Sequence, residues 1–446
     1  MRKHLTNAAY GVLDYASYPF GMLLVAPIVL HKLGASEYGV WMIATSVISA
    51  GGIIASGFCD ANIQRVARLR GTGDTSVMVH TVRSILGISL VLGSALAIIT
   101  WIAAPYAARH IAVSHVTSLR ECLLSLRIAS VLILVRALET VSVSTQRAFE
   151  QYRGTVQIST GVRLLTLGTA AVLALAGRGT VSILLGTGFF LIAGTCLQFR
   201  QLRRFIGIVP IKPAFQPQET RNLLRSGVFV WIQALGSVIL GHFDRILLGV
   251  YMGAVAVVPY SLCVQFTQPL LGVAGSGLNF LFPYFSRCAS TSSPAAMKRT
   301  IWKAFAFNFA LVICGAGLLL LFGDRLIRLW AGAAVAKSAA GILPLIILGA
   351  SLTGISVTGI YAMQAFGLFR TVAFISLAGR GAVLLLMIYL LRHLGIEGLA
   401  ITRVFYGVSS ILIYLPLLRR LEVGQLPAQI APGMTLAHEL QEGSKP

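Results

Sequence analysis

Long runs of apolar residues, separated by short polar segments, follow one another along the whole 446-residue chain. A membrane-spanning helix needs about 20 mostly apolar residues. By that measure the pattern predicts spans at residues 8–30, 39–59, 82–104, 121–142, 155–176, 180–199, 226–248, 254–282, 301–323, 340–363, 371–391 and 396–418. The sequence therefore predicts an all-α integral membrane protein with about 12 transmembrane helices.

Composition agrees with a membrane protein. Hydrophobic residues make up 56% of the chain and charged residues only 11%, with a mean hydropathy of +0.82. An average soluble domain carries about 25% charged residues, so the soluble globular, disordered and disulfide-scaffold classes are excluded. The 6 cysteines are scattered, mostly in apolar runs, and are typical of small buried hydrophobes rather than of a disulfide or metal framework.

Basic residues predict the orientation of the chain. It has 36 Lys and Arg against 14 Asp and Glu. With the N-terminus inside, the cytoplasmic segments hold 22 Lys and Arg and the outer segments hold 9, which indicates that both termini are cytoplasmic. Arg2 and Lys3 precede the first apolar run, but no small-residue cleavage pattern follows, so we expect a retained helix in the cytoplasmic membrane. No basic run is interleaved with aromatic residues, which excludes nucleic acid as a partner.

The longest connection is basic and rich in proline, and it divides the spans into two sets of six. We expect an N-terminal six-helix lobe, a cytoplasmic linker, a C-terminal six-helix lobe and a cytoplasmic tail, at residues 1–205, 206–225, 226–420 and 421–446. A Gly-Ala turn follows both the first and the seventh span, at Gly34 and Gly253. This weak internal likeness favours a parallel duplication about an axis along the membrane normal.

Charged residues inside the spans are the candidate functional groups. Five arginines lie there, and each costs roughly 2.5–3.5 kcal/mol at mid-bilayer unless a wet cavity, an acid or the headgroup region relieves it. The acids at comparable depth are fewer, which favours an anionic ligand, since the guanidinium fork matches phosphate oxygens. We predict that the substrate-binding residues are Arg127, Arg136, Arg163, Arg380 and Arg403.

Spacing limits how these arginines act. Glu139 follows Arg136 by three residues on one helix face, so the two are expected to pair. Arg127 and Arg136 are nine residues apart and point in opposite directions, so at most one of them faces a central pathway. For each arginine the alternative is a structural ion pair or a side chain that extends to the headgroups.

The remaining charges are candidates for coupling, gating and entry. Asp14 is either a cation- or proton-coupling site or the partner of an arginine, and Asp244 with Arg245 predicts a local pair or a gate. The coupling or gating candidates are therefore Asp14, Glu139, Asp244 and Arg245, and the cytoplasmic entry candidates are Arg65 and Arg68.

Motifs for catalysis or cofactor binding are absent from the sequence. No Gly-Lys dipeptide exists, so the chain lacks a phosphate-cradling nucleotide loop. After His438-Glu439 no second histidine follows at helical spacing, and no Asp-x-Asp sequence occurs. We therefore expect neither an enzyme, nor a cofactor, nor a metal site.

Several segments, in order along nearly the whole chain, resemble one family. LGASEYGVW (33–41) looks like the turn between the first two helices of bacterial O-antigen and exopolysaccharide flippases. Similar matches are GFCDANIQRVAR (57–68), FDRILLGVYMGAVAVVPYSL (243–262), LFPYFSR (281–287), LIRLWAG (326–332) and LGIEGLAITRV (394–404). Where the family usually has Gly-Leu-Gly, this chain has Phe58-Cys59-Asp60.

The resemblance implies a V-shaped, two-lobed, MATE-like fold. It implies that the protein flips oligosaccharide units linked to undecaprenyl diphosphate by alternating access. The implied partners are this lipid-linked substrate, membrane lipids, a polysaccharide polymerase and a chain-length regulator. Two alternatives remain open. A multidrug or cation antiporter of the same superfamily would need an acidic cavity, and a membrane polymerase or ligase would typically need a large outer loop, which the sequence lacks.

Overall fold

Helices dominate the computed structural model, which describes residues 2–55, 57–59, 62–63, 65–66, 69, 74–112, 118–149, 152–206, 212–275, 278, 281, 285, 294–366 and 368–423. The side chains of residues 2–17 lie outside that description. No β-strand occurs in the described part. The all-α fold class predicted from the apolar pattern is therefore confirmed.

The helices follow the order of the apolar runs. In the first half they are α1 (Arg2–Ala55), α2 (Thr75–Ile111), α3 (Leu119–Ala148), α4 (Tyr152–Leu175) and α5 (Thr180–Ile206). In the second half α6 (Pro217–Val238) leads through a π-helical turn (Ile239–Phe243) into α7 (Asp244–Met252). The rest are α8 (Ala254–Gly275), α9 (Pro294–Ala331), α10 (Ala333–Ala340), α11 (Leu343–Ala365), α12 (Phe369–Ile411) and α13 (Tyr414–Val423).

Eight of the described helices are long and apolar enough to cross a membrane. Two of them, α1 and α12, each contain two predicted spans, because the helical path breaks at Gly34 and Gly395. Two further predicted spans fall outside this set, since α3 carries several charged residues and the π-helical turn separates α6 from α7. The helices thus account for all of the predicted spans.

Two glycines give the halves of the chain a common turn. Gly34 has φ 83° and ψ 170°, and Gly253 has φ 84° and ψ 170°. Each lies between two helical segments and precedes an alanine. A positive φ is readily adopted only by glycine, so the Gly-Ala likeness seen in the sequence has the same backbone geometry in both halves.

The two halves meet at the end of the molecule where these turns lie, which we call the Gly34 end. The backbone of Gly39 lies directly against the carbonyl of Ala254. Gln265 donates from Nε2 to the Tyr38 hydroxyl at 3.2 Å. The start of α5 belongs to the same end, because the Thr180 amide donates to Glu37 Oε2 at 2.7 Å.

The predicted linker continues into a helix that packs against the first half of the chain. Helix α6 begins at Pro217, within the predicted linker 206–225. Just before it, the Gln216 amide donates to Ser84 Oγ at 3.3 Å. Further along, the Trp231 indole donates to the Ile54 carbonyl at 2.8 Å. Backbone and side-chain bonds therefore fasten this part of the second half to α1 and α2.

Candidate functional site

A cavity of about 80 Å³ lies among α1, α3, α4 and α5. Such a volume accommodates several water molecules or a small anion, and it is too small for an oligosaccharide. Its polar lining combines two guanidinium groups with five hydroxyl groups, from Arg136, Arg163, Tyr18, Thr45, Ser49, Thr166 and Thr187. The structure thus brings two of the five predicted substrate-binding arginines into one cavity.

Arg136 is held in this cavity by its own helix. Its guanidinium forms an ion pair of 2.5 Å with Glu139, as the three-residue spacing predicts. The Glu139 side chain is only 5% exposed. Gly52 of α1 provides the space, since a Cβ there would lie 3.2 Å from the Arg136 Cβ. The pair leaves Arg136 oriented toward the cavity and Glu139 behind it.

A third cation approaches from the other half of the chain. Arg245 of α7 is 9% exposed, and its Nε has no hydrogen-bond partner among the described residues. Tyr18, which lines the cavity, lies within the electrostatic influence of Arg245, Arg136 and Arg163. Two guanidinium groups, from α3 and α4, thus line the cavity beside Tyr18, and a third from α7 acts on the same tyrosine electrostatically. Such an arrangement attracts an anion with more than one charged oxygen.

Arg403 lies in a different environment, a buried cluster of the second half. Its guanidinium is ion-paired to Asp244 Oδ2 at 2.5 Å, and the Tyr260 hydroxyl donates to the same oxygen at 2.6 Å. Arg403 Nε also donates to the Tyr260 oxygen at 2.7 Å. Asp244 is completely buried. The carboxylate is thus fully engaged in joining α7, α8 and α12.

The other two predicted substrate-binding arginines lie away from the cavity. Arg127 is placed over the ring of Trp101, 5.0 Å from its centroid, which agrees with the opposite directions expected for Arg127 and Arg136. Arg380 donates from Nε to the Tyr406 hydroxyl at 3.3 Å, and its side chain packs on Gly236. The five arginines therefore do not form one site.

The predicted entry residue Arg65 forms a contact between the two halves. It donates to both carboxylate oxygens of Glu219, at 3.1 and 2.8 Å. Thr81 donates to the same carboxylate at 2.9 Å. This hydrogen bonding raises the pKa of Arg65 above its usual value, so its charge is fixed. The other entry candidate, Arg68, and the side chain of Asp14 lie outside the described residues.

More than half of the chain matches a known protein family. Residues 8–289 match the family model described as "Polysaccharide biosynthesis protein". The chain belongs to this family. A relative, an uncharacterised membrane protein of Methanocaldococcus jannaschii, is 28% identical over 195 residues, which are 44% of this chain and 38% of the relative. The match thus spans well under half of that relative's length.

Solved structures of membrane transporters share the fold of this family member. An inward-facing multidrug resistance MATE transporter of the MOP superfamily matches with a TM-score of 0.69 at 16% identity, covering 94% of this chain and 100% of that one. The lipid II flippase MurJ in an inward closed conformation matches with a TM-score of 0.66 at 15% identity, covering 93% and 87%. The chain is therefore a multi-pass membrane protein with the V-shaped MATE-like fold.

Two features of the site were not identified from the sequence. Tyr18 has no charge and lies in an apolar run, so no local signal marks it as part of the cavity lining. Glu219 follows Pro217 closely, and an acid in the first turn of a helix is a normal capping arrangement. The sequence does not indicate that Glu219 is buried against Arg65. No group of three or more metal-ligating side chains occurs in the described part of the chain.

Proposed function

We propose that this protein translocates oligosaccharide units linked to undecaprenyl diphosphate across the cytoplasmic membrane, with both of its termini in the cytoplasm. The units would serve O-antigen or exopolysaccharide synthesis. Membership in the polysaccharide biosynthesis family supports a role in glycan assembly. The likeness in fold to the lipid II flippase supports a lipid-linked substrate.

The observation that carries the proposal is the cavity that Arg136 and Arg163 line together beside Tyr18, with Arg245 of the second half within electrostatic range of the same tyrosine. A diphosphate presents several charged oxygens, and a guanidinium binds such oxygens with two parallel hydrogen bonds. At an effective dielectric constant of 20, one pair of unit charges 5 Å apart gains about 3 kcal/mol. The cavity would receive charged oxygens of the diphosphate, whereas the sugars would extend into the space between the halves and the isoprenoid into the bilayer.

The position of Arg245 suggests how substrate binding is coupled to movement. Arg136 and Arg163 belong to the first half of the chain, and Arg245 belongs to the second. An anion that binds Arg136 and Arg163 as well as Arg245 draws the two halves of the chain together. Release of the anion lets the halves separate. In alternating access such a difference in contacts between the two states shifts their populations. Asp244 beside Arg245 anchors this arrangement to Arg403.

The same cations disfavour the antiporter alternative. Cationic drugs require acidic groups in the cavity, and the described lining of this cavity carries arginines and hydroxyl groups. Arginine at this depth is costly unless it meets water or an anion. The cavity chemistry therefore favours an anionic substrate.

A transport assay with purified protein in proteoliposomes tests the proposal. A fluorescent oligosaccharide linked to undecaprenyl diphosphate is loaded in one leaflet, and its arrival in the other is read with a membrane-impermeant glycosidase. At limiting substrate, Arg163→Gln and Arg245→Gln should each lower the rate about tenfold or more, as expected for loss of charged hydrogen bonds. Arg178→Gln, which removes an exposed arginine at the Gly34 end, is the matched control and should transport normally.

The result that contradicts the proposal is transport at the rate of the unmodified protein by both single variants and by the double variant. The antiporter would instead be supported by efflux of a cationic dye such as ethidium. The efflux rate should then be unchanged by these substitutions and should not be lowered by an anionic competitor.

A further inference from the structure

A second group of cations includes Arg127, which projects from the face of α3 opposite to Arg136 and the cavity. It is formed where α2 ends and α3 begins, at the Gly34 end, and we call it the α2–α3 patch. Two of its arginines, at the helix ends, are exposed, and a third lies deeper on α3. Two aromatic residues, 45% and 65% exposed, accompany them. The members of the patch are Arg109, Arg120, Arg127, Trp101 and Tyr106.

The patch belongs to the membrane end marked by the turns. The Ile111 carbonyl at the end of α2 lies 3.4 Å from where a Cβ on Gly253 would be. At the start of α3, Glu121 lies near Glu37, which also accepts a hydrogen bond from the start of α5. The α2–α3 patch therefore lies toward one leaflet, on the same side of the membrane as both Gly-Ala turns.

None of the three arginines has an acidic partner within the described part of the chain. The Arg127 guanidinium lies over Trp101, and its Nε is buried without a hydrogen-bond acceptor. The side chains beside it are apolar and open to the membrane, with Ile102 71% and Val131 51% exposed. A guanidinium among acyl chains is costly unless it reaches an anion, so an anion from outside the chain that contacts the outer edge of the Arg127 guanidinium would stabilise it.

The direction of the helix places that acceptor at the headgroups. Arg127 is eight residues below Leu119, where α3 begins, which corresponds to about 12 Å along the axis. Side chains on a helix lean toward its N-terminus, and a long arginine therefore extends from this depth to the interface. Arg120 lies seven residues earlier on the same face. Exposed Trp101 and Tyr106 are residue types that concentrate at the interface.

We propose that the α2–α3 patch binds the phosphate of an anionic phospholipid in the leaflet at the Gly34 end. The three guanidinium groups supply the charge, and Trp101 with Tyr106 contacts the glycerol and upper acyl region. This site is independent of the proposed transport substrate. Arg127 and Arg136 project from opposite faces of α3, so the patch and the cavity are separate places on the molecule.

The occupant is a phospholipid and not the lipid-linked diphosphate because the patch offers cations and apolar surface but few hydrogen-bond partners for sugars. The exposed aliphatic side chains of Ile98 and Leu124 are part of its surroundings. Its five members carry a single hydroxyl group, on Tyr106, whereas the cavity offers several, including those of Thr45, Ser49, Thr166 and Thr187. A sugar would find few hydrogen-bond partners there, whereas a phosphate with two acyl chains matches both the cations and the apolar surface.

Native mass spectrometry of the full chain, titrated with phosphatidylglycerol, tests this inference. Each arginine near an anionic headgroup contributes on the order of 1 kcal/mol. We therefore expect Arg127→Gln to weaken binding about fivefold and the triple variant Arg109→Gln/Arg120→Gln/Arg127→Gln to weaken it by a factor of about 100. The uncharged headgroup of a diacylglycerol should bind equally weakly to all forms.

A matched control removes three exposed cations from the same end of the molecule without touching the patch, namely Arg178→Gln/Arg325→Gln/Lys337→Gln. It should retain phosphatidylglycerol like the unmodified chain. Equal loss in the control and the triple variant, or no loss in Arg127→Gln, overturns the proposal. Displacement of bound phosphatidylglycerol by undecaprenyl diphosphate at equimolar concentration also overturns it, since the patch would then be a substrate site.

Failure here leaves the proposed function standing, because the transport variants Arg163→Gln and Arg245→Gln lie outside the patch. If the triple variant does not remain monodisperse, Arg127→Gln alone and Arg127→Lys, which keeps the charge and should retain binding, decide the matter.

Discussion

Glu139 and Arg136 are one turn apart on α3, and their ion pair of 2.5 Å joins two very different environments. The Glu139 side chain is 5% exposed and the Arg136 side chain 33% exposed. The carboxylate therefore depends on the guanidinium for its charge compensation, whereas the guanidinium also reaches the cavity. The two partners are not equivalent, and removing them should have different consequences.

We predict that Arg136→Gln destabilises the protein more than Glu139→Gln does. The first leaves a buried carboxylate without its cation, which typically costs about 3–5 kcal/mol. The second leaves an arginine that still contacts cavity water, and the loss should be nearer 1–2 kcal/mol. Thermal unfolding of each variant in the same detergent measures the order. The double variant should be more stable than Arg136→Gln, and a reversed order would show that Arg136 is the more deeply buried partner.

The buried pair of Asp244 and Arg403 gives a second prediction. Asp244→Asn leaves Arg403 without a carboxylate among α7, α8 and α12, and we expect a loss of about 3–5 kcal/mol. Tyr260→Phe removes a hydroxyl from the same cluster and keeps the charges, so it should cost nearer 1–3 kcal/mol.

A double-mutant cycle checks this coupling. Asp244→Asn combined with Arg403→Met removes both charges, and its loss of stability should be clearly smaller than the sum of the two single losses. Additive losses, measured by thermal unfolding, would mean that the pair contributes no coupling energy.

Local features of the fold were predictable from the sequence. The apolar runs predict the helices, the Gly-Ala turns at Gly34 and Gly253 predict equivalent breaks, and the spacing of Arg136 and Glu139 predicts their pair. Each of these depends on residues close together in the chain, where helix geometry alone fixes the distance. For the same reason the opposite directions of Arg127 and Arg136 were predictable.

Contacts between distant helices were not predictable. Asp244 and Arg403 are 159 residues apart, and Arg65 and Glu219 are 154 apart. Which arginine meets which acid depends on how helices pack, and a charge count gives only the excess of cations. The approach of Arg245 to Tyr18 depends on contact between the two halves of the chain, and no spacing rule encodes it.

Glu219 gives a prediction about the attachment of α6 to the first half. Glu219→Gln removes the charge that Arg65 binds and keeps an oxygen that Thr81 can donate to. We expect a loss of about 1–3 kcal/mol, since Glu219 is only 6% exposed, and faster hydrogen exchange in the first turns of α6. Asp324→Asn breaks the exposed Arg328 pair of α9 and should change stability by less than about 1 kcal/mol. Equal effects of the two substitutions would contradict a special role for Glu219.

Gly34 and Gly168 should respond with opposite signs to the same substitution. A Cβ meets no atom within 4 Å at either position, so crowding does not enter. Gly34 has φ 83°, where an alanine costs about 1–2 kcal/mol. Gly168 lies inside helix α4 without a positive φ, where alanine is favoured over glycine by about 1 kcal/mol. Thermal unfolding should therefore show Gly34→Ala below the unmodified protein and Gly168→Ala at or above it. The Gly34 turn joins the first two predicted spans. Unchanged thermal stability of Gly34→Ala would show that this turn adapts to a negative φ. The shared positive φ at Gly34 and Gly253 would then not be required by the fold.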